Sequence, residues 1–299
     1  MTRSLRGTGI RLLVAAIVGL ASMGARAEPI VVVDDRGTEH RLAAPAQRIV
    51  SLMPSLTEAA WVLGAGARLV GVDRSSDWPA AIDALPRLGG LEDARIEAIA
   101  ALKPDLILAS TSSRAIDRLE VLGFTVVRFD SNSHEDLYRA LTRIARLLGA
   151  PQEGERVWER LQREIEEAAA RVPLALRGQR VYFEIGAGPY AAGTTSFIGE
   201  LFTRLRLSNI VAPELGPFPR LNPEYVVRAK PDLIMGVARD QPSLVRRPGW
   251  SSLAAVRNER LCGFDGAQYD ILVRPGPRIG EAAALLADCL VSLDAAARN

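Results

Sequence analysis

Aromatic residues are scarce in this chain, with 4 Trp, 5 Tyr and 7 Phe among 299 residues. Histidine is scarcer still, and His40 and His134 are the two present. Neither has a partner at metal-ligand spacing, which argues against a bare zinc or manganese centre. Cysteine is limited to Cys262 and Cys289, too few for a disulfide-rich scaffold or a cysteine metal site. An excess of charge is also missing. The net charge is +2, from 37 Lys and Arg against 35 Asp and Glu, so no strong field recruits nucleic acid or anionic lipid. Catalytic motifs are absent: there is no G-x-S-x-G elbow, no H-E-x-x-H and no P-loop. "GAGPYAAG" is glycine-rich, but Gly186, Gly188 and Gly193 lack G-x-G-x-x-G spacing. The acid pairs Asp34-Asp35 and Glu166-Glu167 fall on a turn and on a charge-rich helix, where solvated faces account for them. An enzyme is therefore disfavoured, since a binder needs complementarity without a nucleophile or base.

Only one long apolar run exists. "MTRSLRGTGIR" is positively charged, "LLVAAIVGLASMG" is apolar, and "ARA" ends on small residues. This is the pattern of a secretory signal over residues 1–27, with cleavage expected between Ala27 and Glu28. The run is too short to span a bilayer comfortably, and no cysteine adjoins the cleavage point to take a lipid anchor. The expected product is a soluble, exported, monomeric protein. An oxidising compartment permits a Cys262–Cys289 disulfide, although spacing alone does not separate it from two buried thiols.

Within the mature chain, short apolar strands alternate with amphipathic helices. "IVVVDDRGTEHRL" reads as a β-hairpin. "RIVSL", "RLVGVD", "DLILAS" and "TVVRFD" then read as strands, separated by helices such as "PSLTEAAWVLGA" and "SHEDLYRALTRIARLLGA". Ser55 and Glu58 have capping-box spacing at the first of these helices. The alternation is that of a parallel sheet covered by helices. From Pro151 to Val172 it stops, and a long charged helix carries one apolar stripe at Val157, Leu161 and Ile165. After it the alternation resumes. The expected fold is α/β, with two similar lobes at residues 28–147 and 177–299 and a linker helix within 148–176.

A repeat supports two lobes. "IEAIAALKPDLILAS" and "PEYVVRAKPDLIMGV" align Glu97 with Glu224 and Asp105 with Asp232, both 127 residues apart. Pro104 and Pro231 each stop a helix before a buried strand. Several of the few aromatics are read in loops that follow strands: Trp78, Tyr190, Phe218 and Tyr269. Ligands of open α/β sheets sit outside the carboxyl ends of the strands, so these rings are candidates to face a flat apolar ligand across a cleft. Trp61 and Trp158 fall on amphipathic helices and read as packing residues.

"RIVSLMPSLTEAAWVLGAGARLVGVDRSSDWP", "LPRLGGLEDARIEAIAALKPDLILAS", "LNPEYVVRAKPDLIM" and "RPGPRIGEA" together resemble the periplasmic substrate-binding proteins of ABC importers for vitamin B12 and iron chelates. The resemblance covers nearly all of the mature chain and implies two lobes joined by a rigid helix. Its wording is nearest to the cobalamin-binding members. "SDWP" is similar to their S-D-Y-P stretch, and Tyr190 and Phe218 stand where they have a ligand-contacting Phe and Trp. Asp270 and Arg274 keep the spacing of an Asp and Arg that touch the corrinoid. Leu88 stands where a second stacking Trp occurs in them, and Ser110 and Thr111 stand near a third. The resemblance also implies that Glu97 and Glu224 dock on arginines of a membrane permease dimer. Cobalamin would then be a transported ligand rather than a cofactor. A haem or ferric-siderophore receptor is the alternative, with Arg74, Arg220 and Arg274 meeting an anionic chelate and Tyr190 or Tyr269 ligating haem iron.

Overall fold

The computed structural model describes residues 28–186, 188–244 and 246–298, so the expected signal segment lies outside the described residues. The chain opens with the antiparallel hairpin of β1 (Ile30–Val33) and β2 (Glu39–Leu42). Its turn corrects one expectation. Asp34 and Asp35 are not a solvated pair: Asp34 is buried and accepts from the backbone N–H of Arg36 and Thr38 at 2.9 Å each. Asp35 is held by Arg143 and by Arg139 at 3.2 Å. Two carboxylates facing inward find guanidinium and amide donors there, which offsets their desolvation.

The first lobe is a parallel sheet in the order β4-β3-β5-β6, built from β3 (Ile49–Ser51), β4 (Leu69–Val72), β5 (Leu106–Ser110) and β6 (Val126–Phe129). Every residue of β3, β5 and β6 is buried, as parallel strands covered on both faces require. Helices α1 (Pro54–Ala60), α2 (Ile96–Ala101), α3 (Asp117–Val121) and α4 (His134–Leu147) connect the strands and cover the sheet. Ser133 and Asp136 form a capping box at α4. The capping box read at α1 does not form. Pro54 occupies its first turn, no side chain caps it, and Glu58 turns into the protein instead.

Helix α5 (Pro151–Arg171) leads from this lobe to the next. Its 21 residues span ~30 Å, and Val157, Leu161, Ile165 and Ala168 are its buried stripe. The second lobe holds β7 (Arg180–Ile185), β8 (Tyr190–Ala191), β9 (Ser208–Asn209), β10 (Leu233–Val237) and β11 (Leu261–Phe264). Its order is β11-β10-β7-β8, with β9 also on β7; β8 is antiparallel and the other pairs are parallel. Helices α6 (Phe197–Arg204), α7 (Pro223–Ala229), α8 (Gln241–Leu244), α9 (Ala254–Arg257), α10 (Gly266–Leu272) and α11 (Ile279–Arg298) complete it. Helix α5 packs on both α4 and α11, so one helix joins the cores of both lobes.

The repeated passage is the same device built twice. Lys103 and Lys230 adopt left-handed backbone with φ of 48° and 47°, ending α2 and α7 before the proline. Asp105 accepts from the backbone N–H of Gln47 at 2.8 Å and Arg48 at 3.0 Å, while the Arg48 guanidinium caps the Leu102 carbonyl at 2.6 Å. Asp232 accepts from the backbone N–H of Arg180 at 2.9 Å, and the Arg180 guanidinium reaches the Ala229 carbonyl at 3.1 Å. In each lobe one arginine and one aspartate fasten a helix C-terminus to the start of the first strand.

The structure joins Cys262 to Cys289 in a disulfide with Cα atoms 6.0 Å apart, tying β11 to α11 across 27 residues of chain. Closing a loop of that size restricts the unfolded chain by about 3–4 kcal/mol. Replacing both cysteines by serine should lower the stability measured by urea unfolding by about that amount, and reductant should then leave the variant unaffected.

Candidate functional site

The carboxyl ends of the two sheets meet at a cleft. On the first lobe it is formed by the segments after β3 and β4, and on the second by the Phe218 loop and by the stretch from α10 into α11. Two hollows adjoin at Met53. One, of about 260 Å³, is lined by Met53, Ile185, Phe197, Phe218, Val273 and Pro275 and is largely apolar. The other, of about 440 Å³, lies on the first lobe and sets Asp73, Arg74 and Ser75 among apolar residues that include Leu52, Met53 and Leu91. An apolar floor beside a few directed polar groups is what a small-molecule site presents.

Phe218 lies in this apolar hollow, edge-on to Phe197 with ring centres 5.8 Å apart. Tyr190 lies on β8 and is 48% exposed, free to meet a ligand. Tyr269 is not in a loop: it belongs to α10, stacks on Phe183 at 6.2 Å, and its hydroxyl accepts from the Gly186 N–H at 2.5 Å. Its phenol is already engaged, and burial pushes its pKa up. Trp78 is not brought to the Phe218 hollow. Its ring lies under the Arg278 guanidinium, 5.2 Å from the ring centre, and borders a groove against α5 and α11. Leu88 is buried in the first lobe. Trp61 packs against the core, and Trp158 pairs with Tyr138 at 5.4 Å.

Arg274 crosses the cleft. Its guanidinium holds Asp77 of the first lobe through two hydrogen bonds of 2.5 and 3.0 Å. It also stands 3.4 Å from Glu58 and 3.4 Å from Asp270. The paired guanidinium holds the Asp77 carboxyl below its ordinary range. Glu58 behaves oppositely. It is 1% exposed, and burial pushes its pKa up to about 7 despite Arg278 and Arg274 nearby. Desolvation wins because the contacts are long, at 3.4 Å to Arg274 and 3.9 Å to Arg278, and Oε2 has no partner among the described residues. Sequence reasoning missed Glu58 by assigning it to a helix cap. The available signal was a single acid in a stretch from Pro54 to Ala67 that carries no other charge.

The lobes also touch on the far side of the apolar hollow. The Phe197 N–H donates to the Asn132 carbonyl at 2.6 Å, and the His134 Nε2 lies 3.0 Å from the Phe197 carbonyl. The His134 backbone N–H donates to Glu200 at 2.7 Å. Burial pushes the His134 ring down to about 4.

Glu97 and Glu224 are both exposed, in the first turns of α2 and α7. Each helix leads into a strand that begins at the amino edge of its sheet, so each first turn points towards the carboxyl edge, where the cleft opens.

A family model for periplasmic binding proteins matches residues 49–267, and the chain belongs to that family, whose members are substrate-binding proteins of ABC transporters. It is 27% identical to an uncharacterised ABC transporter substrate-binding lipoprotein, YvrC, of Bacillus subtilis, over 88% of this chain and 85% of that one. The periplasmic haem-binding protein RhuT of Roseiflexus is 26% identical with a TM-score of 0.70, covering 83% of this chain and 99% of that one. The vitamin B12 binding protein BtuF of Vibrio cholerae is 25% identical with a TM-score of 0.69, covering 84% and 98%. Among the described residues no helix is long and apolar enough to cross a membrane.

The cleft geometry gives a pH-dependent expectation. Arg274→Ala removes the attraction that favours ionised Glu58, so it costs most where Glu58 is charged. Urea unfolding should show a loss of about 1–3 kcal/mol at pH 8 and a smaller one at pH 5.5, where Glu58 carries its proton in either protein.

Proposed function

We propose that this protein captures a corrinoid of the vitamin B12 type in the interlobe cleft and delivers it to the permease of an ABC importer. The supporting observation is the pairing of an apolar floor at Phe218 with an arginine already neutralised by carboxylates. Arg274 is engaged by Asp77 and Asp270, and Arg74 by Asp93. A chelate bearing several negative charges gains little from guanidiniums so engaged, whereas a flat ring with uncharged amides needs apolar surface and a few polar edges. In this reading Phe218 and Tyr190 meet the ring, and Asp270 and Arg274 meet its polar periphery. The cobalamin-binding relative supports the same choice.

Haem is the second reading, and one observation favours it. Tyr190 is half exposed and its backbone bridges that of Arg220, which sets an exposed phenol and a guanidinium side by side at the cleft. A phenol can ligate haem iron, and a guanidinium beside it can pair with a haem propionate. Absorbance titrations with cyanocobalamin, haemin and a ferric siderophore separate the readings. Cobalamin should bind one per chain, and Phe218→Ala and Tyr190→Ala should each weaken it by about 1–3 kcal/mol. Haemin binding without cobalamin binding would install the second reading. Trp78→Ala is the contrasting case: an equal loss there means that the ligand reaches past Arg278.

Glu97 and Glu224 serve as the permease contacts in this proposal. Two exposed acids, one per lobe and both towards the cleft edge, suit a two-fold pair of basic pockets. Glu97→Ala with Glu224→Ala should leave cobalamin affinity unchanged while lowering uptake and transporter-stimulated ATP hydrolysis more than either single change. Uptake at the parental rate in the double variant would remove the assignment. The coupling should weaken as salt rises, because the charges lie at an exposed rim.

A further inference from the structure

The apolar hollow lies between two polar seams. Val273 and Pro275 flank Arg274 of the first seam, while Phe197 belongs to the second and Ser131 adjoins Asn132. We propose that these seams are proton-sensitive in opposite senses, Glu58 against Arg274 and Arg278 on one side and His134 against Phe197 and Glu200 on the other, and that together they keep lobe closure insensitive to pH.

The geometry of Glu58 is that of a carboxyl better neutral than charged. One oxygen has only long contacts and the other has none among the described residues. The backbone of Gly276 crowds it, since a Cβ there would stand 3.1 Å from Oε2. The charged groups that face it are Arg274, Arg278 and Asp77. Both guanidiniums are shared with other acids: Arg274 with Asp77 and Asp270, Arg278 with Glu281 at 3.1 Å. Parting the lobes would wet Glu58 and return it towards its ordinary value of 4.5 from about 7. Closure therefore takes up a proton at this seam, and acid favours the closed form between those values.

His134 works the other way. Its ring is buried with Nε2 beside the Phe197 carbonyl. Glu200 stands 3.5 Å from Nδ1, but it spends Oε2 on the His134 backbone N–H, and burial raises its own pKa. Arg204 opposes a charge on the ring. On the same helix, Asp136 is taken by Arg139 at 2.6 Å, while Glu135 is exposed and 3.9 Å from Arg139. Parting the lobes would wet the ring and return it to 6.5 from about 4. Closure sheds a proton here, and acid favours the open form. The two windows overlap, so the slopes oppose each other.

The inference takes its purpose from the cleft reading, but its test needs no ligand. Spin labels at Val121→Cys and Arg257→Cys, both on exposed positions of different lobes, report lobe separation in the full chain by double electron–electron resonance. The parent should give the same distance distribution at pH 5 and pH 8. Glu58→Gln should spread at pH 5 alone, where only His134 still titrates, and His134→Gln should spread at pH 8 alone. A parent that shifts with pH, or either variant that behaves like the parent, overturns the proposal. Should a variant not fold, the parent decides: the His134 ring followed by NMR should stay unprotonated at pH 5, and titration near 6.5 is the overturning result. Failure of cobalamin to bind would leave these distances as they are, so the two ideas fail separately.

Discussion

Everything about the cleft depends on the burial of one stripe. Val157, Leu161, Ile165 and Ala168 of α5 pack into a core that continues into both lobes, with α4 on one side and α11 on the other. A helix held on both sides resists bending far more than a loop does, so the sheets keep a nearly fixed relation. The polar seams then set the remaining freedom. Their individual contacts are modest, because much of Asp77 and Glu200 is exposed. What they add is selectivity between closely related lobe positions rather than bulk stability.

The architecture was legible because it rests on repetition and period. Apolar strands alternate with amphipathic helices, the stripe on α5 has spacing of four, and Lys-Pro-Asp recurs at a fixed distance. Each of those signals is local, and each is enforced by burial of a whole face. The cleft was less legible because its groups come from segments distant in sequence. Arg274 meets Asp77 across 197 residues and His134 meets Phe197 across 63. No local pattern announces such a pair.

Glu58 shows how a local rule fails. Its spacing from Ser55 fits a capping box, but Pro54 takes the first turn and the helix starts two residues earlier than the rule assumes. The carboxyl is then carried round to the face that meets the second lobe. Tyr269 fails similarly. Asp265 and Gln268 cap a short helix that the glycine and polar residues of "GAQYD" disguise as a loop. Glu58 belongs to the meeting of the lobes and Tyr269 packs within the second, and in both tertiary contact overrides local preference.

The stacking of Arg278 on Trp78 has an optical consequence. Trp250 is fully buried, Trp158 packs on Tyr138 outside the cleft, and Trp61 packs against the core. The indole of Trp78 is covered by a side chain from the opposite lobe. Its emission is tied to the seam, while Trp250 reports on the interior of the second lobe and the partly buried Trp61 and Trp158 on the flanks of the main core. The unliganded chain thus carries its own gauge of how its lobes sit, and the gauge stands at the cleft's charged edge.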